Sequence, residues 1–587
     1  MTLKIGRRVV DEGLVGRLGA LNPVLARAYA ARGIDDPSRL RPSLDRLLPV
    51  GTLEGVEAAV ALLLAHRRSG QRILVIGDFD ADGATSSALI VRCLRAWGFA
   101  DVDFLVPNRF EFGYGLTPEI VALAAQQHPA LIITVDNGIS SLPGVAAARG
   151  LGIDVLVTDH HLAGAELPAA NVIVNPNLPD ARFGSRALAG VGVAFYVMAA
   201  LHRALADAAL PSPATWLDLV ALGTVADIVP LDDNNRILVS QGLARIRAGR
   251  CTAGLRALLE VGNKPLANVI ATDLGFVAGP RLNAAGRLDD MSLGIRCLLT
   301  DSMTEARALA SRLDALNKER RAIESTMQEQ AMAAVRHLED PEVLARRGAG
   351  GQGDASAARH GLCLYDSSWH QGVVGIVAGR IKDRMRRPVI AFADAGDGQL
   401  RGSVRSVTGV HARDVLEAIS TRHPGLLPKF GGHAMAAGLT LERAQLDVFA
   451  REFDAEVARW QQGGSLADRI ETDGELAVEE ISLMTAEALR EGGPWGQAFP
   501  EPTFDQRFRV QDSRVVGELH VKMWVELEGS GRRFDAIAFN LLQGRPGLRG
   551  TGGKLALPQS VHLVYRLDVN EWNGERRLQL LVDHLLE

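Results

Sequence analysis

The chain has 587 residues, of which 47% are hydrophobic and 23% charged, and its formal net charge is −5 at pH 7. That balance excludes a largely disordered chain, and 61 glycines without a three-residue period exclude a collagen-like one. The length predicts about three or four domains, and an acidic total assigns any nucleic-acid binding to a local basic surface.

Residues 1–50 show no repeat and are expected to form an N-terminal arm packed on the core. The stretch MTLKIGRRVV carries charge without an apolar h-region, so no secretory signal is expected. From Arg72, the apolar runs RILVIGD, VDFLVP, ALIITVD and IDVLVTD alternate with helical stretches, the first at Ala84 to Leu94. Such alternation predicts a parallel sheet covered on both faces. Functional groups in such sheets gather beyond the carboxyl ends of the strands, and three runs end in Asp78, Asp136 and Asp159.

The uncharged stretch Ala187 to Leu201 is shorter than the roughly 20 residues of a membrane span and reads as a buried helix. Leu309, Leu313, Leu316, Ile323, Met327, Val335 and Leu338 recur mostly at three- and four-residue spacing. They predict one helix over Met303 to Leu338, about 50 Å long at 1.5 Å per residue. The Gly/Ala-rich segment Arg346 to Arg359 reads as a flexible insertion. A second α/β unit is expected from Leu362, with Leu439 to Leu489 largely helical. From Pro500 short alternating strands appear, among them HVKMWVEL and VHLVYRLDV, and Asn573-Gly574 marks a hairpin. They suggest a small barrel or sandwich. The expected boundaries are an arm over 1–50, a first α/β domain over 51–300 and a connecting helix over 301–345. An insertion over 346–360, a second α/β domain over 361–490 and a barrel over 491–587 follow. Cys93, Cys251, Cys297 and Cys363 form no CxxC pair, which fits a reducing, cytoplasmic setting.

The sharpest motif is Gly77-Asp78-Phe79-Asp80-Ala81-Asp82-Gly83, whose carboxylates alternate around a tight turn. A calcium loop of the EF-hand type would need an acid at its twelfth position, where Leu89 stands. Thr134-Val135-Asp136-Asn137-Gly138, Thr158-Asp159-His160-His161 and Thr224-Val225-Ala226-Asp227 follow. Aspartates with one or two histidines make a mixed O/N site suited to Mn²⁺ or Mg²⁺. Two such ions can activate water and stabilise both oxygens of a phosphodiester displacement.

These four motifs resemble those of the DHH phosphoesterase superfamily. PNRFEFGYGL (107–116), GPRLNAAGR (279–287), WHQGVVGIVAGR (369–380), GSVRS (402–406) and KFGGHAMAAG (429–438) bring the likeness closer to its RecJ branch of single-strand-specific exonucleases. The resemblance spans roughly residues 70–587. It implies a parallel-sheet DHH domain joined by the long helix to a second α/β, DHH-associated domain, then an OB-like barrel. It implies two divalent ions, Mn²⁺ ahead of Mg²⁺, held by Asp80, Asp82, Asp136, His160 and Asp227, with Asp136 bridging and Asp78 a less settled ligand. Asp159 is expected to orient a histidine, and His161 to meet the phosphate. Arg109, Tyr114, Arg281, Asn283, Arg287, His370, Ser403, Arg405, Ser406, Gly431, Gly432 and His433 are expected along the strand, Arg109, Arg281, Ser403 and Arg405 at a 5′ phosphate. Lys522, Trp524, Arg566 and Trp572 are expected contacts on the barrel.

The implied activity is metal-dependent 5′-to-3′ hydrolysis of single-stranded DNA to 5′-mononucleotides, with water as nucleophile, in recombination and repair. The implied partners are a single-strand-binding protein and a helicase, and the implied state a monomer. A DHH phosphodiesterase for short oligonucleotides or cyclic dinucleotides stays open, as does a catalytically inactive replication scaffold. The scaffold is disfavoured because Asp80, Asp82, Asp136, His160 and Asp227 are all present.

Overall fold

The computed structural model describes residues 4–107, 115–338, 360–461, 469–543, 546–548, 555–572 and 574–586. The chain divides into two compact units. One holds residues 2–286, 290–313 and 469–587, and the other is mostly residues 314–468.

In the first unit, strand β1 (Lys4–Arg7) precedes a five-stranded parallel sheet. Its strands are β2 (Ile73–Gly77), β3 (Val102–Leu105), β4 (Leu131–Val135), β5 (Asp154–Thr158) and β6 (Val172–Val174), in the order β3-β2-β4-β5-β6. Alternate residues feed two cores. Ile73, Val75, Leu131, Ile133 and Leu156 join the core with helices Val56–Ser69, Ala81–Ala96 and Gly190–Leu205. Leu74, Ile76, Ile132, Val155 and Val157 join the opposite one with helices Pro118–Ala125 and Leu142–Gly150. Burial on both faces explains why these strands read as continuous apolar runs rather than alternating ones. The strand order reverses between β2 and β4, so their carboxyl ends border the crevice where doubly wound sheets bind ligands. Asp78 follows β2 and Asp136 follows β4.

The expected long helix is present as Met303–Leu338. Leu313, Met327 and Val335 are buried, but so are Asp314, Asn317 and Glu324. Glu324 receives Arg320 at 3.2 Å and Arg380 at 3.0 Å. The middle of the apolar stripe is therefore a polar stretch. In the second unit a sheet of order β10-β11-β9-β8-β7 comprises β7 (Leu362–Tyr365), β8 (Val389–Gly396), β9 (Gln399–Arg405), β10 (Lys429–Gly432) and β11 (Ala436–Glu442). Only β7 and β8 run parallel, so this sheet is mixed.

Strand β12 (Arg469–Thr472) returns to the first unit and pairs in parallel with β1. A closed barrel follows, made of β13 (Phe504–Val516), β14 (His520–Leu527), β15 (Arg533–Ala538), β16 (Ser560–Trp572) and β17 (Glu575–Leu586). Trp572 pairs with Glu575 across the expected hairpin, and Gly574 takes φ +81°; Asn573 lies outside the described residues.

Residues 469–490, expected with the second α/β domain, pack instead with the arm and the barrel. The cause is pairing remote in sequence: β1 with β12, Arg32 with Asp473 at 2.7 Å, and Arg7 with Asp505 at 2.8 Å. Most of the expected insertion over 346–360 lies outside the described residues. Among those described, no single helix is long and apolar enough to cross a membrane.

Candidate metal centre

Asp80 caps helix Ala81–Ala96, its Oδ1 accepting the amides of Asp82 at 2.9 Å and Gly83 at 3.0 Å. The cap starts the helix at the end of β2 and turns Asp82 inward. The Asp82 carboxylate is nearly fully buried and accepts Gly190 N at 2.6 Å and Val191 N at 2.9 Å from the first turn of helix Gly190–Leu205. Asp136 is buried at the end of β4 with φ +60°, a strained conformation for a residue with a Cβ. Asp227 caps the C-terminus of helix Leu217–Ala226.

After β5, Asp159 Oδ1 accepts the amides of His160 at 2.7 Å and His161 at 3.0 Å and contacts His161 Nδ1 at 2.7 Å. Its other oxygen accepts Ile139 N at 2.9 Å. Asp159 thus orients His161, in line with the expectation from sequence. Two asparagines that sequence reasoning passed over hold the same loop. Asn175 Nδ2 donates to His161 O at 2.9 Å, and Asn177 Nδ2 donates to His160 O at 2.6 Å. Their signal was the polar NPN that closes the apolar run of β6.

Three overlapping groups have ligand atoms within 4.8 Å of one another: Asp136, His160 and His161; Asp82, His160 and Asp227; and Asp78, Asp80 and Asp136. Electrostatics shows what this costs without a cation. Burial first, then the neighbouring carboxylates, raise Asp136 and Asp227 well above the usual carboxylate range. Burial and Asp80 push Asp82 up to about 7 against its amide hydrogen bonds. Burial and the adjacent His161 bring His160 down to about 4, leaving a neutral imidazole. Burial opposes charge on both His161 and Asp159, yet their mutual hydrogen bond and attraction, with the neighbouring aspartates for His161 and backbone amides for Asp159, together outweigh it, raising His161 and lowering Asp159.

The donor set fits divalent cations on direct grounds. His160 Nε2 is buried without a hydrogen-bond partner, 3.1 Å from Asp136 Oδ1 and 3.5 Å from Asp227 Oδ2. In a neutral ring that hydrogen-bonds the Leu188 backbone, this nitrogen presents a lone pair to two oxygens. A hard or borderline cation among them satisfies all three.

The remaining expected residues divide. Arg109 and Tyr114 lie outside the described residues. Arg281 is largely buried and donates to Val277 O at 2.7 Å. Asn283 Oδ1 accepts Ala81 N at 2.7 Å, so this side chain holds the Asp78–Gly83 loop. A Cβ at Gly286 would stand 1.8 Å from Phe79 O, which shows how closely helix Gly279–Leu288 underlies that loop.

In the other unit, Arg287 donates to Gly372 O at 3.1 Å, and His370 Nδ1 accepts Gly372 N at 3.1 Å. Arg405 donates to Ser403 Oγ and to Val404 O, each at 2.8 Å. Burial alone lowers its pKa, and no carboxylate among the described residues pairs with it. A Cβ at Gly375 would lie 2.8 Å from Arg405 Nη2 and 2.9 Å from Ser403 Oγ, so the start of helix Val374–Met385 faces both groups. A helix N-terminus, a hydroxyl and an uncompensated guanidinium together suit an anion. Gly431 is open, Gly432 takes φ +149°, and His433 N bonds Ala436 O at 2.8 Å.

Three of the expected residues are engaged within the protein. Ser406 is buried, and its hydroxyl donates to Val410 O at 2.6 Å rather than facing a phosphate. Arg566 is committed to Asp583 at 2.8 Å and Glu501 at 2.6 Å, and Lys522 to Asp535 at 3.1 Å. Those carboxylates lie on other strands or before the barrel, so the sequence pattern of β14 and β16 did not reveal them. Trp524 is half exposed on β14. The Trp572 side chain lies outside the described residues.

Residues 72–224 match the DHH family, N-terminal domain; residues 342–459 match the DHHA1 domain; and residues 472–584 match the RecJ OB domain. The chain is 53% identical over 578 residues to the single-stranded-DNA-specific exonuclease RecJ of Dickeya dadantii, covering 96% of each. It resembles the crystal structure of RecJ from Thermus thermophilus in complex with Mn²⁺, with TM-score 0.79 and 32% identity, over 100% of this chain and 79% of that one. The corresponding Mg²⁺ complex gives TM-score 0.74 and 30% identity over 100% and 78%.

Proposed function

The chain belongs to the RecJ family of single-stranded-DNA-specific exonucleases, and from that premise we propose that it hydrolyses single-stranded DNA from the 5′ end, releasing 5′-mononucleotides in recombination and repair. One observation carries the reading: the three overlapping aspartate and histidine groups at the switch point of the parallel sheet. Asp78, Asp80, Asp82, Asp136, His160 and Asp227 would hold two divalent ions, Mn²⁺ or Mg²⁺, and Asp136 and His160 each belong to two of the groups. Bound there, the ions supply a water nucleophile near neutral pH and stabilise the attacking and leaving oxygens.

The protein's own groups set the geometry. Gly190 and Val191 amides fix Asp82, and Asn283 fixes the loop that carries Asp80. His160 stays neutral and offers Nε2. His161, kept protonatable by Asp159, donates to a phosphate oxygen. Ser403 and Arg405, beside the start of helix Val374–Met385, receive the terminal 5′ phosphate, where the guanidinium gains the counter-charge it lacks. On the barrel, Trp524 offers a stacking face.

An enzyme confined to single strands needs a duplex opened and its strand presented, so a helicase and a single-strand-binding protein are its partners. A closed barrel leaves no free edge strand on that domain, which supports a monomer. Four free cysteines support a reducing cytoplasm. The test compares 5′- and 3′-labelled single strands and blunt duplex, with and without Mn²⁺. Early release of a labelled 5′-mononucleotide, stepwise shortening of the 3′-labelled strand and intact duplex are expected. Cleavage of a dinucleotide but of no longer strand refutes the reading.

A further inference from the structure

Two large apolar side chains stand in solvent around the end of helix Leu217–Ala226. Ile228 is 69% exposed and Phe276 is 73% exposed. Ile228 follows Asp227 directly and takes φ +60°, a conformation that opposes its branched Cβ. Such strain persists only where the surrounding structure imposes it, and here it buries nothing. Instead it turns the chain so that Asp227 faces His160 while Ile228 faces solvent.

Phe276 sits in the five-residue π-helix Leu274–Ala278, an irregularity that recurs at functional sites. Its neighbours Leu274 and Ala278 are fully buried. A Cβ at Gly275 would lie 3.3 Å from Val225, and one at Gly279 3.2 Å from Ala226, so the π-helix rests on the last turn before Asp227. The rigid seat holds an aromatic ring out in water on an element packed against the helix that ends at Asp227.

Continuity with the metal centre identifies the occupant. Successive Cα atoms are about 3.8 Å apart, so Ile228 begins one residue from a proposed metal ligand. A strand whose phosphate lies at the Asp and His cluster brings a base to the same neighbourhood. In a single strand that base is unpaired and has an apolar face to cover; in a duplex it is already stacked. We propose that Ile228 and Phe276 form a ledge on which an unpaired base flanking the scissile phosphate stacks. The inference rests on the single-strand exonuclease reading and adds one physical source of strand discrimination.

The test uses the full chain with Mn²⁺ and two 5′-phosphorylated strands, one normal and one whose first nucleotides are abasic. Loss of one base contact in Phe276→Ala raises KM for the normal strand about tenfold, with kcat, the Mn²⁺ midpoint and KM for the abasic strand little changed. Phe276→Tyr keeps the wild-type KM, and Ile228→Ala gives a smaller increase. Equal KM changes on both strands, none on either, or a shifted Mn²⁺ midpoint in Phe276→Ala would overturn the ledge. A wild-type chain that shortens neither strand sinks the exonuclease reading and the ledge with it.

Discussion

Gly190→Ala isolates the fit around Asp136. A Cβ at Gly190 would stand 2.7 Å from Asp136 Cβ and 3.0 Å from both its Cα and Cγ. Carbon atoms pack at about 3.5–4.0 Å, so roughly 0.8 Å must be found. The helix cannot supply it readily: Val191, Val193, Ala194 and Val197 are fully buried, and the amides of Gly190 and Val191 are tied to Asp82. Asp136, already at φ +60°, is the part that moves. Overpacking of this kind costs about 1–3 kcal/mol, which lowers the melting temperature of a chain this long by only a few degrees. The larger effect falls on the ions, because disturbing what positions a ligand costs about 10–100-fold in metal affinity or activity. The assay is a Mn²⁺ titration of 5′-mononucleotide release, with circular dichroism to verify the fold and Gly150→Ala as control, since a Cβ there meets nothing within 4 Å. A folded Gly190→Ala protein with the wild-type Mn²⁺ midpoint and turnover would refute the placement of Asp136 at the metals.

Asn283→Ala removes the acceptor for Ala81 N; it should cost about 1–3 kcal/mol of stability and shift the Mn²⁺ midpoint, whereas a change confined to KM for DNA would restore a direct phosphate role. Arg405→Ala should reduce the preference for 5′-phosphate over 5′-hydroxyl ends by about tenfold or more, the scale of one charge-assisted hydrogen bond. An equal loss of rate on both ends would contradict that role. In the metal-free chain Asp82 should withdraw stability as pH rises from about 4 to about 7, partly offset by His160, whose lowered value makes folding favour its neutral form. Asp82 is raised from 3.8 to about 7, so folding favours its protonated form; that stability is complete below the unfolded value and is lost as pH climbs through the folded one. Saturating Mn²⁺ should raise the melting temperature more at pH 7.5 than at pH 5. A Mn²⁺ shift independent of pH would mean that these carboxylates do not bind it.

The strand-end aspartates were legible because a parallel sheet delivers its loops to one edge, so Asp78, Asp136 and Asp159 group from the sequence alone. What holds them was not. Gly190 and Gly286 matter through close approach, a property of partners about 54 and 207 residues away in the chain. Asn283 was expected along the strand from the family likeness of its motif, yet its acceptor oxygen serves a backbone amide. Arg566 read as a free cation because Asp583 comes from the next strand and Glu501 from before the barrel. The pairing of β12 with β1, which groups residues from 469 with the arm and the barrel, leaves no mark on local periodicity.

That pairing has a consequence for synthesis. Arg7 waits for Asp505, 498 positions later, and β1 for β12. At about 5–20 residues per second, translation separates these partners by roughly 25–100 s. During that interval the parallel sheet and its metal loops have emerged from the ribosome while β1 is still an unpaired edge. The sheet and its aspartate and histidine loops are therefore free to fold before the arm can close, and the nascent chain carries an unpaired β1 until β12 arrives.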